Sequence, residues 1–345
     1  MMLIDFFTFQ VFRDVTVRTN ILMLQKAENR NRLMCCTVED NKSFKLKDVG
    51  KFYEENKKEC SFVGKTPWVF VDEEKETFIN TVKEQGVPLS EWDLNINRGI
   101  LSGCDDAFWI SSDQYREIVS ADEHCKDILV PHLRGRNIKQ YQIEWEGYYL
   151  INSHNGLKEE NLPPIDINDY MPVKKHLDSF RDRLEARGDK GNTIYNLRNC
   201  AYLRDLDKKK IIYPNLTTHI GFYLDTEGYY VNAKAYMIVG KHLGYLTAFF
   251  NSALFRHCFT DDFPIIQGGG RELRKSIFLR IPVKDVTDEE DAEYERIVME
   301  IQQMKREDQP TDEKEHELDL MILAHYGITA PGLQARFFAA STNEL

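Results

Sequence analysis

The sequence predicts an α+β chain: a β-hairpin at the start, a mixed-sheet body in the middle and a helical tail at the end. Three observations carry this prediction. Short aromatic or β-branched segments recur through the first two thirds, and longer segments with apolar residues at helical spacing alternate with them. The acidic residues concentrate near the C-terminus. At 345 residues the chain has material for one large domain or two smaller ones. We place boundaries at 1–38 (terminal strands), 39–90 (connector), 91–284 (body) and 285–345 (tail).

Phe6–Phe12 and Val15–Leu24 read as two strands, with Arg13-Asp14 as the turn. Two strands make too little sheet to stand alone in water, and an uncovered face of Phe7, Phe9, Val11, Ile21, Leu22 and Leu24 predicts that something packs on it. Residues 39–60 are rich in Lys, Glu, Asp and Asn and read as a solvated connector. A short amphipathic helix over Glu73–Gln85 follows, stopped by Pro88. Body strands are expected at Ala107–Ser111, Gln142–Glu144, Tyr148–Asn152, Lys210–Tyr213 and Phe222–Leu224. Helices are expected at Pro172–Ala186 and His242–Thr260. Pro282 ends the body. Two tail helices follow, Glu289–Arg306 and Asp312–Tyr326, separated by Gln309-Pro310. Leu318, Met321, Ile322 and His325 share a face of the second.

The net charge of −11 looks adverse to a polyanionic partner until it is mapped. Residues 285–317 hold fourteen acids against four bases and so account for −10 of it. Between Lys126 and Lys210 there are sixteen bases against thirteen acids. The seven cysteines show no C-x-x-C spacing and read as buried free thiols. The alternative, His124-Cys125 and His257-Cys258 meeting at a zinc, lacks the usual ligand spacing. The opening Met1-Met2-Leu3-Ile4-Asp5 carries no basic region before an apolar stretch, so a signal peptide is not expected and the cytoplasm is.

Catalytic constellations fail one after another. Gly64-Lys65-Thr66 resembles the end of a phosphate loop, but the position five residues earlier than Gly64 is Glu59, not glycine. Asn161-Leu162-Pro163-Pro164-Ile165 has the Pro-Pro of an adenine methyltransferase motif without the adjacent amide or the aromatic. Asp72-Glu73-Glu74-Lys75 has the letters of a metal-dependent nuclease, at a helix start where acids simply suit the dipole. No catalytic, cofactor-binding or metal-ligating residue is therefore assigned.

Three clusters carry the residue types of nucleic-acid contact. Leu133–Tyr141 interleaves Arg134, Arg136 and Lys139 with Asn137, Gln140 and Tyr141 around Gly135. Arg187–Tyr195 offers Arg187, Lys190, Asn192 and Tyr195, and Gly268–Lys275 offers Arg271, Arg274 and Lys275. Arginine suits guanine or phosphate, asparagine suits adenine, and glycine permits close backbone approach. A solvated basic turn is the plainer reading of any one of them. Arg198, Arg204 and Lys208–Lys210 read as ordinary surface charges.

A resemblance joins these pieces. Gly99-Ile100, Gly103 and Ala107-Phe108, then Pro131, Leu133 and Gly135-Arg136 with Ile138 and Tyr141, occur in the order of a known family. So do Leu184–Arg187 with Gly191 and Tyr195, Lys210–Pro214, Leu243–Ser252, Ile281-Pro282-Val283 and Glu317–Thr329. Over Asn97–Val283 the sequence resembles the TaqI-like C-terminal specificity domain of type IIG restriction-modification enzymes and related adenine-specific DNA methyltransferases. It departs from the pattern at Asp105 and Asp106, where asparagine is usual, and at Gln140, where a base is usual. The resemblance implies a mixed-sheet target-recognition domain for double-stranded DNA, with residues 5–26 as the last hairpin of a methyltransferase sheet. It implies as partner a methyltransferase catalytic domain, in cis or in trans. S-adenosylmethionine, and magnesium for cleavage, would belong to that parent enzyme and not to this chain. Arg134, Arg136 and Lys139 would contact phosphate or guanine. Arg187, Lys190, Asn192 and Tyr195 would line the groove, and Arg271, Arg274 and Lys275 would steady the far backbone. Two other readings stay open: a subunit acting only with a separate catalytic chain, and an interaction protein using the acidic tail.

Overall fold

The computed structural model describes the chain except residues 8, 13, 15–16, 18, 29–31, 39–43, 62–72, 189, 267–269, 332–333 and 335–345. The Gly64-Lys65-Thr66 and Gly268-Gly269 readings, Asp72 and Arg13 lie outside the described residues.

The opening differs from the expected hairpin. The strands are Met2–Asp5 and Asn20–Met23, paired antiparallel, and the described residues of 6–12 are not strand. Aromatic density there reports burial and not a period of two: Phe6 and Phe9 pack against Phe44, and Phe44 packs against Phe52. Arg32–Thr37 pairs parallel on the other side of Met2–Asp5, and Lys58–Ser61 adds antiparallel, giving a four-stranded mixed sheet. The solvated connector thus contains a helix, Val49–Asn56, and a strand. Ile21, Leu22, Met23 and Leu24 on the edge strand and just beyond it are exposed. Cys35 and Cys60 form a disulfide across this sheet, against the expectation of free thiols.

In the body, the sheet Tyr223–Asp225, Lys210–Pro214, Ala235–Gly240, Leu94–Arg98 separates two cores. Alternation along its strands assigns the sides: Ile211, Tyr213, Leu224 and Ile238 face one core, and Ile212, Tyr223 and Met237 face the other. A second sheet, Tyr230–Val231, Leu129–Leu133, Tyr148–Ile151, Trp109–Ser111, closes the second core. Cys125 lies in that core and Cys258 in the first, so the two His-Cys pairs do not meet. Among the described residues no group of three or more His, Cys, Asp or Glu could hold a metal ion, and no helix is long and apolar enough to cross a membrane.

Both long expected helices are broken. Met171–Asp178 and Arg181–Ala186 replace Pro172–Ala186. Leu243–Asn251 and Ala253–Phe259 replace His242–Thr260, with Ser252 extended and its hydroxyl accepting from the Phe255 N–H. The tail matches expectation closely: Asp288–Arg306, opened by a Thr287/Glu290 capping box, and Asp312–His325. It is not a free acidic arm. Gln302 exchanges two hydrogen bonds with the backbone of Leu224 (2.9 and 3.0 Å), closing the sheet's edge. A Cβ on Gly244 would lie 2.5 Å from the Cβ of Glu295, so the close crossing of the two helices requires glycine.

Lys210, read from sequence as a surface charge, is fully buried. Its Nζ lies 2.7 Å from Asp225 Oδ2, directly across the strand pair, and donates to the Leu206 carbonyl at 2.7 Å. Asp225 Oδ1 accepts from the Glu227 and Gly228 N–H groups. A buried charge left without its partner costs about 3–5 kcal/mol. Lys210→Met alone should lower unfolding free energy by that much in urea titration. Lys210→Met with Asp225→Asn keeps the turn's Oδ1 acceptor and should recover most of it. A single variant as stable as the parent would show that the pair does not anchor the sheet.

Candidate nucleic-acid interface

The basic loop begins where the strand Leu129–Leu133 ends. Asn137, 3% exposed, ties it together: Oδ1 accepts from the Arg134 N–H (2.7 Å) and Nδ2 donates to the Glu144 carbonyl (2.8 Å). A Cβ on Gly135 would stand 2.8 Å from the Lys234 carbonyl oxygen, so only glycine lets the loop sit this low. Ile138–Lys139 and Gln142–Ile143 then form a small hairpin, with Tyr141 in the left-handed region (φ 57°). Burial of the Tyr141 ring in the first core offsets that strain. Burial also raises its hydroxyl pKa well above the usual range. Asn137 and Tyr141 therefore shape the loop, and their side chains are not presented to a ligand.

Arg134, Arg136 and Lys139 remain at the surface in different states. The Arg134 guanidinium lies between Trp109 (4.9 Å) and Tyr148 (4.5 Å), 3.8 Å from Glu146. Arg136 is exposed and grips Glu146 with two bonds (3.0 and 2.8 Å). This raises its own pKa and lowers that of Glu146. Lys139 pairs with Glu144 at 3.5 Å. Beside them stands an aromatic face missed from sequence. Trp145 is 39% exposed and meets Tyr149 edge-on, while Tyr149 stacks on Tyr115 at 4.0 Å. The signal for it was present in Trp145-Glu146-Gly147-Tyr148-Tyr149.

The second cluster stands apart. Arg187 is buried over the Phe108 ring and donates to the carbonyls of Ser102 (2.6 Å), Ile194 (2.7 Å) and Asn196 (2.9 Å). It holds the loop from inside rather than lining a groove. Lys190 and Asn192 are exposed, and the Asn192 N–H donates to Asn155 Oδ1. The Tyr195 hydroxyl is bound to Asp178 at 2.5 Å.

The third cluster adjoins the first. Arg271–Glu272 pairs with Leu216–Thr217, which continues the strand Lys210–Pro214, and Asn215 bonds both Lys234 and Leu273. Arg271 is largely buried against Asp261 (2.8 Å) and the Phe263 carbonyl (3.1 Å). Arg274 pairs with Glu272 at 2.6 Å, and Lys275 is exposed.

Comparison with known proteins bears directly on this loop region. Residues 130–283 match the TaqI-like C-terminal specificity domain. The matched segment contains all three basic clusters and three of the four strands of the sheet between the two cores, while the strand Leu94–Arg98 and part of each core lie outside it. The whole chain is similar in fold to the type IIL restriction-modification enzyme MmeI, whose structure was solved in complex with DNA. The identity is 9%, the TM-score 0.53, and 98% of this chain and 44% of that one are covered. A fainter likeness, to the type IIG restriction endonuclease BpuSI, has 11% identity and a TM-score of 0.45 over 96% of this chain and 44% of the other. The chain spans 44% of the length of each.

Inside the matched segment, His132 lies 2% exposed beneath Arg134, against Trp109. Burial, joined by the Arg134 charge, pushes its pKa down to about 3. An unfolded histidine titrates near 6.5, at roughly 1.4 kcal/mol per unit of difference. Between these values the unfolded chain binds the proton and the folded chain does not, so stability falls as pH drops from about 6.5 toward 3. His132→Leu should flatten that acid limb, measured as urea stability against pH. Parallel curves for parent and variant would exclude His132 as its source.

Proposed function

We propose that this chain recognises double-stranded DNA in a sequence-specific way, as the specificity part of an adenine-specific DNA methyltransferase of a restriction-modification system. The supporting observation is that the segment matching the specificity domain contains Arg134, Arg136 and Lys139, with Arg134 held by Trp109 and Tyr148 and the exposed Trp145 nearby in the same segment. Arg134 is the base reader in this reading. Its guanidinium is already oriented by two rings, so little freedom is lost when it bonds guanine O6 and N7. Arg136 and Lys139 take phosphates by exchanging Glu146 and Glu144, and exposed ion pairs of this kind contribute little. Lys190, Asn192 and Tyr195 border the duplex further out, and Arg274 and Lys275 meet the backbone beyond Asn215.

Methyl transfer, with its S-adenosylmethionine, and any magnesium-dependent cleavage belong in this reading to a catalytic domain, joined in cis or supplied in trans. The exposed edge strand Asn20–Met23 supports such a partner, because an apolar strand edge is a template for further pairing.

The test is binding to random duplexes at about 50 and 200 mM salt with sequencing of the bound fraction. A salt-steep affinity with an enriched motif is expected. Arg136→Ala should weaken every sequence and reduce the salt slope by about 1, while Arg134→Ala should cost about 1–3 kcal/mol at one base pair. Glu146→Gln should tighten binding. Salt-independent or absent binding would sink the proposal.

A further inference from the structure

The chain reverses at Asn232–Ala235, between the strands Tyr230–Val231 and Ala235–Gly240. The Ala235 N–H donates to the Asn232 carbonyl (2.9 Å) and the Lys234 N–H to Asn232 Oδ1 (3.2 Å), so a buried asparagine holds this turn from inside. The turn lies alongside the basic loop. Tyr230–Val231 runs parallel to Leu129–Leu133 with Val231 opposite Leu133, and the Asn232 N–H donates to the Leu133 carbonyl at 3.0 Å. Two residues on, the Lys234 carbonyl stands against Gly135 and accepts from the Asn215 N–H (2.9 Å), and the Asn215 carbonyl accepts from the Leu273 N–H (2.7 Å). Backbone contacts thus run in series from the loop carrying Arg134 and Arg136, through Lys234 and Asn215, to the segment carrying Arg274 and Lys275.

Lys234 belongs to none of the three basic clusters, and it differs from the bases on either side of it. Arg136, Lys139 and Arg274 each face a carboxylate, on Glu146, Glu144 and Glu272. Lys234 is exposed, and its ammonium forms no ion pair among the described residues; the same holds for Lys275. A lysine of this kind takes a phosphate without first releasing an acid. The turn already fixes its backbone, so only the freedom of the side chain is lost on contact. Its flexible four-carbon stem lets the ammonium meet a phosphate that passes over the turn.

We propose that Lys234 contacts a phosphate at the centre of one continuous track, along which the backbone of a DNA strand passes from the basic loop to Arg274 and Lys275. The proposal rests on the DNA reading above and adds the turn Asn232–Ala235 to the contact surface.

The full chain is bound to random-sequence duplexes, and to any duplex enriched from them, over a range of salt concentrations by fluorescence anisotropy. Lys234→Ala should weaken every duplex by roughly fivefold at about 150 mM salt, the share of one phosphate at a slope of about 0.9 per contact, and should lower the salt slope by that step. Lys234→Arg should bind like the parent, and Lys234→Glu should lose more than Lys234→Ala. Lys241→Ala, at the opposite end of the strand Ala235–Gly240, controls for net charge and should change neither affinity nor slope. Thermal melting checks that each variant folds like the parent, and Lys234→Gln, which keeps much of the stem, replaces alanine if alanine lowers the melting temperature. Arg136→Ala on the same duplexes reports separately on the DNA reading. Unchanged affinity and slope for Lys234→Ala beside a loss for Arg136→Ala would overturn the proposal and leave that reading standing. So would a loss for Lys241→Ala or Lys234→Arg as large as that for Lys234→Ala, or a Lys234→Ala loss confined to one base pair at unchanged slope. A parent chain that binds no duplex would sink both.

Discussion

The buried pair of Lys210 and Asp225 is the constraint on which the rest of the body depends. It stands at the start of a strand with all five residues buried, in a sheet with a hydrophobic core on each face. A charge in that position is stable only if strand pairing brings the carboxylate directly opposite, so the ion pair fixes register where apolar alternation alone would tolerate a slip of two. At its far end the strand delivers Pro214 and Asn215. Pro214 packs close to Gly135, and Asn215 bonds Lys234 and Leu273. The first and third basic loops are therefore positioned by one strand.

The tail extends this scaffold. Asp319 accepts from the Ala253 N–H at the start of a core helix, and Glu315 accepts from Gln140, in the turn of the small hairpin of the basic loop. Gln140 stands where the family pattern carries a base. In this chain its amide reaches the Asn251 carbonyl and a tail carboxylate together, so the hairpin turn is buttressed from behind. The acidic segment that dominates the net charge is a structural partner of the basic surface.

What was legible in the sequence follows from which signals are local. Asp288–Arg306 carries a capping box, Asp312–His325 follows the Gln309-Pro310 break, and the strands at Lys210 and Tyr148 are short runs of aliphatic and aromatic residues, so all four stand nearly where expected. The splits at Ser179-Phe180 and at Ser252 were hidden because apolar spacing continues across them, while the backbone leaves the helix at Phe180 and at the extended Ser252. The opening strands were displaced because Phe6 and Phe9 serve a cluster below the sheet and not its alternating faces. The basic loops were legible as composition, but the fate of each arginine was not. Arg187 and Arg271 are drawn inward by carbonyls and carboxylates distant in sequence or supplied by the fold, whereas Arg136 is not. The aromatic sandwich around Arg134 joins Trp109 and Tyr148, thirty-nine residues apart, and needs the antiparallel pairing of their strands.

The acids of the basic loop balance its charge. Glu144 and Glu146 neutralise two of its three bases in the free chain. A surface masked in this way attracts any polyanion weakly at long range, since distant phosphates see little net charge. At contact with a duplex, as proposed above, phosphate would compete for Arg136 and Lys139, while Arg134 is held by two rings that a phosphate does not displace. On the DNA reading proposed above, sequence-independent attraction would thereby be kept low and the directional contact kept intact. A protein that must discriminate among many sites of equal backbone charge gains from such masking, because it raises the fraction of binding energy that depends on sequence.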